Sequence, residues 1–228
     1  ATKYGGVRTT AEAAEELMAG ARAASERYDI EVTRLYDEVT PFMPDSIISD
    51  AANVQEFTKK YLAQSKTATG ADFVNPALRM AEKVLKDAGD GVLTYKQLKD
   101  FKVSLGRNLA SAESAGAKLG GADAKIKELY GYVVKDLDAL IAKGGDDASA
   151  AYKAANDFVK ANTGKAGGIT YLDNVIKKGG ARATAALKYV ESGAKDGGED
   201  LIKLKSLLNE DEYNVMAGYL LGKMGLPT

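Results

Sequence analysis

From Thr9 to Val39, apolar side chains recur every third or fourth residue: Ala14, Leu17, Ala21, Ala24, Tyr28, Leu35 and Val39, with Val32 filling the gap. That spacing places them along one face of an α-helix, close to a heptad seam. Thr9 or Thr10 can cap the start, and Glu12, Glu15 and Glu16 suit the positive end of the helix dipole. The PFMP run, Pro41 to Pro44, ends it, because a proline disfavours helix in the residue before it. A helix of about 30 residues is about 45 Å long. This is long for a compact domain, so the helix is expected to project or to pair with a second copy.

The same period continues along the chain. A second helix is predicted from about Ser49 to Gln64 on Ala52, Phe57, Tyr61 and Leu62, followed by a loop over SKTATGAD, Ser65 to Asp72. Asn75 before Pro76 is a helix start, with Asn as cap and Pro in the first turn; Gly89 and Gly91 stop that helix. Thr94 and Gln97 form a capping box for the next one, whose apolar face is Leu98, Phe101, Leu105, Leu109 and Ala112. A stripe of Ile126, Leu129, Val133, Leu137 and Leu140 follows from Asp123 and ends at Gly144 and Gly145. Asp146 or Asp147 then caps a helix burying Ala148, Ala151, Tyr152, Ala155, Phe158 and Val159. Shorter helices are predicted over Thr170 to Lys178, Ala181 to Ser192, Glu199 to Leu208 and Asp211 to Lys223, the last capped by Asn209 with Glu212. Alternating strand patterns and Asn-Gly hairpin turns do not occur. The pattern predicts an all-α, multi-helix bundle of about eight to ten helices with a long N-terminal helix. It divides into residues 1–66, the long helix and second helix as an oligomerisation arm, and residues 72–228, the bundle.

Composition sharpens this. The chain has 228 residues, 45% of them apolar and many of those alanine, with only 7% aromatic. Alanine favours packed helices over strands. Thirty-one Lys and Arg against 32 Asp and Glu leave a net charge of −1, which argues against a general polyanion binder. There is no Cys and no His, which removes disulfides, thiolate nucleophiles, Cys/His zinc sites and imidazole bases. No apolar run is long enough to cross a bilayer, no signal-peptide pattern opens the chain, and no cofactor motif occurs. Ala1 in place of Met points to a processed chain or a piece of a longer one.

Candidate chemistry is sparse. Lys96, Lys99, Lys102 and Arg107 could grip phosphate, although Asp100 interrupts the series and a solvated helix face explains it better. KKGGAR joins Lys177, Lys178 and Arg182 to a helix N-terminus, where backbone amides could cradle an anion; Lys177 and Lys178 also suit the C-terminal dipole of the helix before them. Tyr95, Tyr130, Tyr132, Tyr152, Tyr171 and Tyr189 could stack on bases or sugars, yet at helical spacing they read as packing residues. Adjacent acids such as Asp136 and Asp138, or Asp146 and Asp147, could serve glycan hydrolysis, but pairs are expected by chance among 32 acids. No residue is assigned a catalytic, metal or cofactor role.

LTYKQLKDFKVSLGRNLASAE and ADAKIKELYGYVVKDLDALI, within Leu93 to Ile141, resemble a helical module of large internal-virion, DNA-transfer or ejection-type proteins of tailed bacteriophages. The matching positions are Leu93, Tyr95 and Leu98; Leu105 and Gly106; Leu129 and Tyr130; and Asp136 and Leu137. The likeness continues through AAYKAANDFVKA and LIKLKSLLNEDEYNVMAGYLLGKMG. The family commonly has Arg where Lys102 and Lys205 stand, and an aromatic-Arg pair at Tyr152 and Lys153, so no cationic site is carried over. The resemblance implies a non-enzymatic structural or DNA-ejection role in the virion, with self-association or other virion proteins as partners. The alternatives are a carboxylate-dependent glycan hydrolase and a helical nucleic-acid-binding domain making weak DNA contact. Short helices punctuated by glycine, of which there are 24, would unfold at modest cost during passage through a tail channel.

Overall fold

A computed structural model describes residues 9–67, 75–89, 91–114, 121–163, 167–195 and 198–223. Among these the chain forms ten α-helices, a 3-10 turn and one pair of two-residue strands. The all-α bundle is therefore the fold. Compact packing divides it into two units, Tyr36–Lys153, and Ala1–Leu35 with Ala154–Thr228. The boundaries fall near the end of the first helix, α1 (Thr10–Asp37), and partway along α6 (Gly145–Asn162).

Within Tyr36–Lys153, α5 (Gly121–Lys143) is central and packs on α2 (Ala52–Thr67), α3 (Pro76–Asp87) and α4 (Tyr95–Ser114). Its stripe of Ile126, Leu129, Val133, Leu137 and Leu140 is buried as the period requires, and Ile141 joins it. The division expected between residues 66 and 72 runs through this unit and separates α2 from α3, on which it packs. Asn75 caps α3, its Oδ1 accepting the Leu78 N–H at 3.2 Å. Thr94 and Gln97 close the box that starts α4: the Thr94 N–H donates to Gln97 Oε1 at 2.9 Å, and the Gln97 N–H to Thr94 Oγ1 at 3.4 Å.

Two expectations are corrected here. Ile48–Ser49 form β1, antiparallel to β2 (Leu93–Thr94), with Ile48 opposite Thr94 and Ser49 opposite Leu93. A pairing this short has no alternation to read. It also delays α2, which starts at Ala52 rather than Ser49. Ala51 between them takes a left-handed φ of 49°, costly for a residue with a Cβ, while its N–H donates to Ser49 Oγ at 3.0 Å. The predicted cap at Asp146 or Asp147 also shifts, because α6 already begins at Gly145, with φ of 87°, and both acids sit inside its first turn. Of the expected loop over Ser65 to Asp72, residues 65–67 continue α2 and the rest lie outside the described residues.

The second unit is built on the first part of α1. A reciprocal cap opens that helix: the Thr9 N–H donates to Glu12 Oε2 at 2.8 Å and the Glu12 N–H to Thr9 Oγ1 at 3.2 Å. Ala13, Ala14, Leu17, Met18, Ala21 and Ala24 are buried in one core with side chains of α7 (Ile169–Gly179), α8 (Ala183–Lys195), α9 (Glu199–Leu207) and α10 (Glu210–Lys223). Over this stretch the long helix is a wall of the core and does not stand clear of the fold. No helix of the described residues is long and apolar enough to cross a membrane.

Candidate functional site

Lys102 is where sequence and structure part most clearly. It belongs to the series Lys96, Lys99, Lys102 and Arg107, for which the interrupting Asp100 and the balanced net charge lead one to expect a solvated helix face. In the structure Lys102 is 9% exposed. The reason is its position on the helix. Tyr95, Lys99 and Lys102 stand at i, i+4 and i+7, one face of α4, and that face lies beside the apolar stripe of Leu98, Phe101 and Leu105.

Residues from the end of α1 and from α6 meet this face. Lys102 Nζ donates to Tyr36 Oη and to Tyr152 Oη, each at 3.2 Å. The ammonium also lies 5.2 Å from the centre of the Tyr36 ring and 5.1 Å from that of Tyr152, where ring quadrupoles favour a cation. The two rings are 6.1 Å apart and tilted by 55°. Tyr95 Oη donates to the Tyr36 carbonyl at 3.0 Å, and Lys99 Nζ pairs with Asp37 Oδ1 at 3.1 Å. Burial pushes the Lys102 amine down to about 8, against the pull of the Asp138 carboxylate, which favours the charged form. Burial likewise raises the Tyr95 hydroxyl.

The other predicted contacts divide between the two compact units. Lys96 is exposed, and the side chain of Arg107 lies outside the described residues. Lys177, Lys178 and Arg182 are exposed at the end of α7 and before α8, in the other compact unit from Lys102. The first glycine of KKGGAR has a packing reason: a Cβ on Gly179 would stand 2.1 Å from Met18 Sδ and 3.0 Å from Ala186 Cβ. Tyr95, Tyr152 and Tyr171 are buried, and Tyr130, Tyr132 and Tyr189 half-buried, as packing residues should be.

The acidic pairs separate too. Asp136 is 2% exposed and turns to the start of α2, accepting the N–H of Asn53 at 3.0 Å, the Asn53 side-chain amide at 2.7 Å and the N–H of Val54 at 2.9 Å. Asp138, two residues on, lies on the side of α5 that feels Lys102, where partial burial raises its carboxyl against that cation. Asp146 and Asp147 are exposed. An open depression of about 240 Å³, lined by Gln55, Thr58, Lys59, Leu85 and Gly91, carries a lysine and no carboxylate. Among the described residues no three acidic side chains converge as a metal site would require.

The role of Asp136 as a cap for α2 is not readable from spacing, because its partners, Asn53 and Val54, lie far away in sequence. Lys102 left a signal: it falls four residues after Leu98 and seven after Tyr95, inside the buried arc. Comparison of the chain with protein-family models, with curated proteins and with solved structures finds no match.

Proposed function

We propose that the chain is a non-enzymatic structural protein of a tailed-bacteriophage particle, of the internal-virion or DNA-ejection kind, or part of one, acting through helix packing and assembly. The resemblance over Leu93 to Ile141 supports the context. The observation that carries the non-enzymatic part is the use made of the buried charges. Asp136 ends on the backbone of α2, and Lys102 on tyrosines of α1 and α6. Groups that perform chemistry must reach a substrate, whereas these reach neighbouring helices. The basic series supports a DNA grip poorly, because Lys102 is buried and Lys99 is paired with Asp37.

The test uses gradient-banded particles of the phage or induced prophage that encodes the chain, probed with antibody before and after DNA release. The protein is expected in full particles and depleted from emptied ones. Absence from banded particles overturns the reading. Release of reducing sugar from peptidoglycan would replace it with the hydrolase, and salt-sensitive retardation of DNA with the nucleic-acid binder.

A further inference from the structure

The chain passes between its two compact units at two places, Leu35 to Tyr36 and Lys153 to Ala154. The unit Tyr36–Lys153 is thus an insertion into a discontinuous one, and its first and penultimate residues are Tyr36 and Tyr152. Those are the two residues whose hydroxyls accept from Lys102 Nζ. We propose that Lys102 is a mechanical clasp: it holds together the two ends of the inserted unit, so that tension along the chain cannot enter that unit until the clasp parts.

Connectivity sets the order of events. Tension applied at the chain termini acts first on the discontinuous unit, which contains both. Only after that unit yields does tension arrive at Tyr36 and Lys153. There it meets α4, which grips the entering segment through Tyr95 on the Tyr36 carbonyl, Lys99 on Asp37 and Lys102 on the Tyr36 hydroxyl, and the leaving segment through Lys102 on Tyr152. Lys102 grips both segments, beside the direct contact of the Tyr36 and Tyr152 rings, 6.1 Å apart. A buried ammonium is an expensive way to pack helices and often gives no net stability over an apolar side chain, whereas hydrogen bonds to a charged donor are strong and directional. Such a group suits a contact loaded in one direction. The clasp rests on chain connectivity and stands independently of the virion role.

The experiment is optical-trap pulling of the full chain by its ends. Because the chain has no cysteine, one introduced at each end attaches the handles without competing sites. The last wild-type step should release residues 36–153 in one event, roughly 400 Å of chain at about 3.4 Å per residue. In Lys102→Met the lifetime of that unit at fixed load should fall about tenfold, as loss of a hydrogen bond to a charged group implies. Its equilibrium stability in urea should not fall in proportion, which separates a clasp from a packing residue. Tyr152→Phe, which keeps the ring and removes the acceptor, should shorten the lifetime too and decides the matter if Lys102→Met does not fold. Lifetimes equal to wild type in these variants, or lifetimes that merely track equilibrium stability, overturn the clasp.

Discussion

Oδ2 of Asp136 accepts the backbone N–H of Val54 at 2.9 Å, so a carboxylate from α5 caps the first turn of a helix through a residue 82 positions earlier in the chain. The other oxygen takes the Asn53 N–H at 3.0 Å. The nearby side chains take other amides, Ser49 Oγ the Ala51 N–H and Asp50 Oδ1 the Ala52 N–H. Asp136→Ala leaves both amide donors without acceptors in a buried site. At about 1–3 kcal/mol for each orphaned donor, Tyr36–Lys153 should lose about 2–6 kcal/mol in urea unfolding followed by circular dichroism. Asp136→Asn keeps one acceptor and should lose less. A loss for Asp136→Ala no larger than that of an average surface substitution would refute the cap.

The contrast between this cap and the others explains what could be read from the sequence. Thr9 with Glu12, Asn75 with Pro76, Thr94 with Gln97 and Asn209 with Glu212 are all local, so their sequence signatures and their structures coincide. The helical stripe of α5 was legible for the same reason: its period is local. Asp136 was not, since its partners are backbone groups far away in sequence. Nor were β1 and β2, which carry two residues each. Lys102 misled in another way, because a lysine on a helix is normally assigned to water, and the groups that compensate its burial, Tyr36, Tyr152 and the Asp138 charge, are brought from elsewhere.

Lys102 should leave a mark on stability against pH. Burial lowers its amine from 10.5 to about 8. Between those values the unfolded chain holds a proton that the folded chain has released, so stability rises with pH there. The gain across the window is of the order of 3 kcal/mol, with none from this group below about pH 8. Burial raises the hydroxyls of Tyr28 and Tyr219 from 10.0 to about 12, so their ionisation in the unfolded chain opposes the gain above pH 10. Chemical unfolding from pH 7 to 10 should therefore show a rise in wild type that is missing in Lys102→Met. A flat wild-type profile would show that Lys102 titrates as an ordinary surface lysine.

Glu212 joins two jobs in the discontinuous unit. With Asn209 it closes the cap of α10, the Glu212 N–H donating to Asn209 Oδ1 at 2.9 Å and the Asn209 N–H to Glu212 Oε2 at 2.8 Å. It also takes both terminal nitrogens of Arg27 on α1, at 2.9 and 2.7 Å. Burial works to raise its carboxyl, but the hydrogen bonds from Arg27 and the Asn209 backbone, with the Arg27 charge, outweigh it and hold the group below its ordinary 4.5. The sign follows: this stabilisation is present above pH 4.5 and lost as pH falls below it. Glu212→Ala should cost about 1–2 kcal/mol at neutral pH, mostly from the cap, and should flatten the acid limb of the wild-type profile. An unchanged acid limb in the variant would remove Glu212 from the account.

Two glycines should respond in opposite directions to the same methyl group. Gly131 lies inside α5, and a Cβ there would meet nothing within 4 Å. Glycine in a helix interior costs about 1 kcal/mol relative to alanine, so Gly131→Ala should stabilise Tyr36–Lys153 by about that amount. Gly168 precedes α7, where a Cβ would stand 2.7 Å from the Lys203 carbonyl oxygen and 2.7 Å from Leu207 Cδ1. A backbone carbonyl cannot rotate aside as a side-chain tip can, so α7 and α9 must move apart. Gly168→Ala should cost about 1–3 kcal/mol, the usual range for overpacking, and the loss should appear in the discontinuous unit. Paired thermal melts of the two variants decide it. Equal shifts of the same sign would mean that α9 does not approach Gly168 as closely as the structure places it.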